Sequence, residues 1–266
     1  MSRGGALLWA LLALAPGCTH GEGGTAPAES ALARIAGGVY VPLYGDGEPV
    51  EVGTFWLDRH LVTNAAFLAF VEAQPRWRRS AVPALLAGEG YLRHWQRDLE
   101  LGEGEDVPRP DAPVSHLSWF AARAYCAWRG QRLPTLDEWE YVARAGETEV
   151  DGSADPGFHQ RILDWYARPR PKRLPPVGST FRNVYGVYDL HGLVWEWVED
   201  FNSVFVTGES REDGSLDRQL YCAGAGAGAI DPRNYAAFLR YAMRSSLEAN
   251  HAVGNLGFRC AAKGAP

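Results

Sequence analysis

YGVYDLHGLVWEWVED, residues 185–200, packs a glycine turn, four aromatic rings and four carboxylates into sixteen residues. A half-buried strand alternates apolar and polar side chains, and a surface helix carries an apolar stripe. This stretch does neither. Asp189, Gly192 and Glu196 are spaced as in a loop that folds its oxygens inward, and hard cations bind such loops.

N-terminal to this loop, residues 1–17 carry one charge, Arg3, then an apolar run from Ala6 to Ala15 and Pro16-Gly17-Cys18. This predicts a signal peptide over 1–17, too short to span a bilayer as a helix of about 20 residues. Gly17 before Cys18 resembles the bacterial lipobox, which implies lipidation of Cys18. Thr19 after it points to the outer membrane, so the expected place is the cell envelope, a periplasm-facing outer-membrane lipoprotein, with plain secretion as the alternative. Residues 18–33 are small, polar and Gly/Pro-containing and read as a flexible tether. A single domain is expected over 34–264. Without residues 1–17 the chain keeps 25 basic and 32 acidic side chains, a net charge of −7. That balance excludes nucleic acid and leaves a lipid anchor as the only membrane contact. The one basic cluster, RPRPKR at 168–173, reads as a solvated loop because of its prolines.

Val39, Val41 and Leu43, then Val50 and Val52, alternate around Gly45-Asp46-Gly47 and predict a β-hairpin. Thr63 or Asn64 caps a helix through Phe67, Phe70 and Val71 that stops at Gln74-Pro75. Residues 76–113 read as long loops with an aromatic insert, YLRHW. A second helix follows Ser118 and stops at Gly130. The third follows Thr135, whose capping-box partner is Glu138, and buries Leu136, Trp139 and Ala143. Beyond residue 150 turns and short strands are expected, with LGFRCA as the last strand.

Five segments then carry a family resemblance: VTNAAF (62–67), VSHLSWFAARAYCAW (114–128), RLPTLDEWEY (132–141), YGVYDLHGLVWEW (185–197) and GFRC (257–260). In this order they resemble the formylglycine-generating enzyme, or sulfatase-modifying factor, domain. The resemblance implies an α+β, loop-rich fold of the C-type-lectin-like kind. It implies a disulfide between Cys126 and Cys260, and structural calcium held by the side chains of Asp189 and Glu196 and the carbonyls of Gly192 and Val194. The alternative for these carboxylates is that they cap turns and pair with arginines such as Arg240 or Arg259.

In the enzyme two cysteines bind copper(I) and direct O2 chemistry to a substrate thiol, and copper(I) needs such soft ligands. Here the matching positions fall near Ala236 and Tyr241, and no cysteine lies between Cys222 and Cys260. Sulfatase-activating oxidase activity is therefore the least expected reading. The CAGAGAG turn at 222–228 and the NYAAFLRYAMRSS segment resemble a non-oxidase bacterial subgroup, accessory proteins of nitrite reductase and other copper-protein systems. That implies a maturation or binding scaffold with an unidentified protein or peptide partner, a pseudoenzyme. The second expectation is a copper- or non-haem-iron-dependent oxidoreductase centred on Cys222, with His191, His251 and Met243 as the nearest suitable ligands. Cys222, Tyr241, Arg240 and Arg244 are the candidate pocket residues. Arg132 and Arg259 are expected to pin carbonyls and, for Arg132, Glu138 or Glu140.

Overall fold

The computed structural model describes residues 1, 31–42, 48–202 and 232–264. The chain divides at Ser30, and residues 31–266 form one compact unit. Strand β1 (Leu32–Ile35) begins two residues before the expected boundary at 34, because Leu32 and Ala33 are buried. It pairs antiparallel with β4 (Phe55–Asp58), Ile35 opposite Phe55. The last strand, β7 (Ala261–Ala262), lies on the other edge of β4. One small sheet thus ties the two ends of the domain together.

The expected hairpin is formed by β2 (Gly38–Tyr40) and β3 (Val50–Val52), Tyr40 opposite Val50. Its buried face carries Tyr40 and Val52, while Val39 and Val41 are exposed. LGFRCA is not one strand. Leu256–Gly257 is β6, parallel to β5 (Trp195–Glu196), and the chain then bends to enter β7.

Helix α1 (Asn64–Ala73) is capped by Thr63, whose Oγ1 accepts from the Ala66 amide at 3.2 Å. Helix α2 (Trp119–Trp128) is capped in the same way by Ser118, and Gly130, at φ +72°, takes the left-handed turn that ends it. Helix α3 (Leu136–Ala143) has the full Thr135–Glu138 capping box. The core gathers around Phe67, whose ring meets Phe70, Trp95, Tyr125 and Phe258. Burying four such rings contributes several kcal/mol of apolar transfer. Tyr91, Leu92 and Trp95 of the aromatic insert lie in this same core.

Two helices stand where turns and strands were expected. Asp155 caps α4 (Pro156–Ala167), accepting from the Gly157 amide at 2.8 Å with proline at the first position, where a missing N–H is harmless. The fifth, α5 (Pro232–Ser245), runs for 14 residues. Phe158 and Ile162 of α4 pack on Ala236 of α5. Among the described residues no helix is long and apolar enough to cross a membrane.

Candidate functional site

The capping box fixes the phase of α3, so Leu136, Trp139, Glu140 and Ala143 share its buried stripe. One of the four is a carboxylate. Helix α5 brings Arg240 and Arg244, one turn apart, against it. Arg240 donates to Glu140 through Nε, at 3.1 Å to Oε1, and through Nη2, at 2.8 Å to Oε2. Arg244 Nη1 donates to Oε1 at 2.6 Å. All three side chains are at most 8% exposed. Arg244 also lies over the Trp139 ring at 4.6 Å, a cation–π contact. Burial alone would raise the Glu140 carboxyl. The two guanidiniums outweigh that and hold it down at about 2, so it is ionised at neutral pH.

A cavity of about 380 Å³ opens beside this cluster. Tyr40, Phe158, His191, Ala236, Arg240 and Tyr241 are among its walls. Helix α5 thus brings the expected candidates Arg240, Tyr241 and Arg244 together, and Ala236 and Tyr241, near which the resemblance places the copper thiols, line one cavity. Neither supplies a soft ligand. The imidazole of His191 is buried, with Nε2 2.6 Å from the Ala143 carbonyl. Burial, and then Arg240, lower it to about 3, so it stays neutral. Each Glu140 oxygen already accepts two hydrogen bonds. Such a carboxylate is a poor general base. What the cavity offers is an apolar recess with a fixed, charged floor.

Of the four residues expected to hold calcium, Asp189, Gly192, Val194 and Glu196, three have protein partners for their oxygens. Asp189 is fully buried and its oxygens accept from the Gly178 amide and from the amide and hydroxyl of Thr180, at 3.0 and 2.8 Å. Glu196 makes a forked pair with Arg259, at 2.7 and 2.9 Å, with both side chains fully buried. The Gly192 carbonyl accepts from the Val194 amide. With both carboxylates and the Gly192 carbonyl turned to protein donors, this set as arranged does not fit a calcium ion. Arg259 Nη2 also donates to the Tyr188 carbonyl at 2.8 Å, so the guanidinium occupies the role expected of the cation.

Cys126 and Cys260 form the expected disulfide, locking α2 to the approach of β7. Arg132 pairs with Glu138, not Glu140. His251 is at the surface beside Glu248, and Met243 packs against the core. Among the described residues no three His, Cys, Asp or Glu side chains cluster as metal ligands. Cys18 and Cys222 lie outside the described residues. Sequence reasoning missed Glu140 as the centre of the site. Its signal was a carboxylate on the apolar stripe of a capped helix.

Residues 23–264 match the sulfatase-modifying factor enzyme 1-like domain. The chain is 33% identical over 279 residues to the formylglycine-generating enzyme of Streptomyces coelicolor, covering 86% of this chain and 88% of that protein. It is 29% identical to the inactive C-alpha-formylglycine-generating enzyme 2 of Mus musculus, over 82% of this chain and 78% of that one. Among solved structures, PvdO from Pseudomonas aeruginosa aligns with a TM-score of 0.49 at 18% identity, over 87% of this chain and 94% of that one.

Proposed function

Because the chain belongs to the sulfatase-modifying factor enzyme 1-like domain family, we propose that it is a member without cysteine-oxidase chemistry, acting as an accessory or binding scaffold. The observation that carries this is on α5. Where the resemblance places a copper-binding thiol pair, the cavity has Ala236 and Tyr241, above two arginines locked to Glu140. Copper(I) chemistry without soft ligands has no support there. Of the four cysteines in the sequence, two are joined in a buried disulfide, which leaves Cys18 and Cys222. The inactive name of the mouse relative agrees with this reading.

In this proposal the chain is exported and held at the bacterial envelope by a lipid on Cys18. The cavity receives a side chain or terminus of a protein or peptide partner. A volume of about 380 Å³ suits such a fragment. Tyr40 and Phe158 supply apolar wall, while the Glu140–Arg240–Arg244 cluster keeps the floor rigid. The resemblance to the nitrite-reductase-associated subgroup suggests a copper-enzyme system as the source of that partner.

Protein spanning residues 19–266 tests this reading by thiol titration with and without reductant, together with elemental mass spectrometry. One free thiol in the native protein and neither copper nor iron is expected. Stoichiometric copper or iron that disappears in Cys222→Ser would replace the scaffold with a metal-dependent oxidoreductase.

A further inference from the structure

A second cavity, about 350 Å³, shares no lining residue with the first and is bounded by the basic segment 168–173. Residues 168–173 are exposed and outside helix and strand, as the prolines predict. In the structure Arg170, Lys172 and Arg173 all line the cavity, together with His94, His116 and one acid, Asp106.

One guanidinium here is unpaired. Several other arginines find carboxylates: Arg109 with Asp111, Arg132 with Glu138, Arg240 and Arg244 with Glu140, Arg259 with Glu196. Arg170 has no hydrogen bond or ion pair among the described residues. The charged group acting most strongly on it is another cation, Arg93, which after burial lowers its proton affinity. Both guanidiniums belong to exposed side chains, where water weakens but does not abolish their repulsion. An anion entering between them removes that repulsion.

Gly254 leaves room for the guanidinium. A methyl group at residue 254 would stand 2.1 Å from Arg170 Nη1 and 2.6 Å from His116 Nε2. Only a residue without a side chain lets both groups lie so close to the backbone.

The charges around the paired imidazoles favour an anion. His94 and His116 have ring centroids 4.9 Å apart. Asn64 spends its amide hydrogens on the carbonyls of Arg109, Ala112 and Pro113, so its Oδ1 accepts from Trp95 and faces His94 Nε2 at 3.3 Å. His94 therefore carries its hydrogen on Nε2, and its Nδ1 is a buried atom without a partner, as is that of His116. Two adjacent imidazoles are a common metal-ligand pair, but Arg79, Arg93 and Arg170 all act on His94 with positive charge. A metal cation would enter against three guanidiniums. Burial and these cations keep both rings neutral, at about 3 for His94 and about 4 for His116.

We propose that this cavity is a binding site for a small oxyanion, a phosphate or carboxylate group, held by Arg170, with Arg93, Lys172 and Arg173 adding charge around it. A guanidinium offers the forked donors that such groups accept. The cavity volume limits the ligand to a small molecule.

Thermal-shift and calorimetric titrations of the full chain with inorganic phosphate and with succinate, each against sodium chloride at matched ionic strength, test this. Saturable stabilisation by at least one oxyanion beyond chloride is expected, and the stronger of the two identifies the class. Arg170→Gln should weaken it about tenfold or more, the size of a lost charge-assisted bond. Gly254→Ala keeps every charge and should weaken it too, by displacing the guanidinium and the imidazole. Arg168→Gln, in the same segment but outside this cavity's lining, should bind as the parent does. No saturable effect beyond chloride, or an equal loss in Arg168→Gln and Arg170→Gln, would overturn the proposal.

Discussion

Replacing Glu140 with glutamine should destabilise the domain far more than the loss of one charge at a surface would. In the parent, one carboxylate neutralises two guanidiniums that are at most 8% exposed, through contacts of 2.6 to 3.2 Å. Glutamine has nearly the same shape but leaves Arg240 and Arg244 buried without a counter-charge. Removing one partner of a buried ion pair costs about 3–5 kcal/mol. For a domain of this size each kcal/mol lowers the melting temperature by roughly 2–4 °C, so a drop of about 6–20 °C is expected. Circular dichroism during heating measures it. A triple change, Glu140→Leu with Arg240→Met and Arg244→Met, removes all three charges together and should recover most of the loss, since well-packed apolar replacements of buried ion pairs are often neutral. The pH dependence has a definite sign. The Glu140 carboxyl sits at about 2 in the fold, below its ordinary 4.5, so its contribution is complete above about pH 4.5 and disappears as pH falls toward 2. Glu140→Gln should lack that part of the acid loss. A melting shift below about 2 °C for the single variant would refute the buried-cluster reasoning.

Arg259→Met should be comparably damaging, about 3–5 kcal/mol, because it strands the fully buried Glu196 and frees the Tyr188 carbonyl; chemical denaturation gives the value. The paired change Cys126→Ala with Cys260→Ala opens a link between residues 134 apart in sequence and should cost about 2–5 kcal/mol, read as a lower urea midpoint. Chelation of calcium should leave the melting temperature unchanged, because Asp189 and Glu196 are already satisfied by Thr180, Gly178 and Arg259; a drop restored by added calcium would reverse that conclusion.

What the sequence made legible was local. Thr63, Ser118 and Thr135 announce helix starts because a cap and its amide partner lie three residues apart. Helix α4 carried the same kind of signal in Asp155-Pro156, but with only Phe158 and Ile162 buried along its length the apolar period was too thin to stand out. The site was less legible because its bonds are long in sequence: Glu140 and Arg240 are 100 residues apart, Glu196 and Arg259 are 63 apart. Inward-facing carboxylates at 189 and 196 could be read from the loop pattern. What meets them depends on where the chain delivers Thr180, for Asp189, and Arg259, for Glu196, and no local period carries that information. Ala236 and Tyr241 were legible as departures from a family pattern, whereas the shared cavity they line required α5 to be a helix packed against α3 and α4.

In the proposed function the α5 cavity carries no cysteine-oxidase chemistry. The direct measurement is to incubate copper-loaded chain with a cysteine-containing sulfatase peptide under air and reductant, beside a formylglycine-generating enzyme as positive control, and to trap any aldehyde with hydroxylamine. Aldehyde is expected from the control and none from this chain. Catalytic conversion of the peptide by this chain would contradict it.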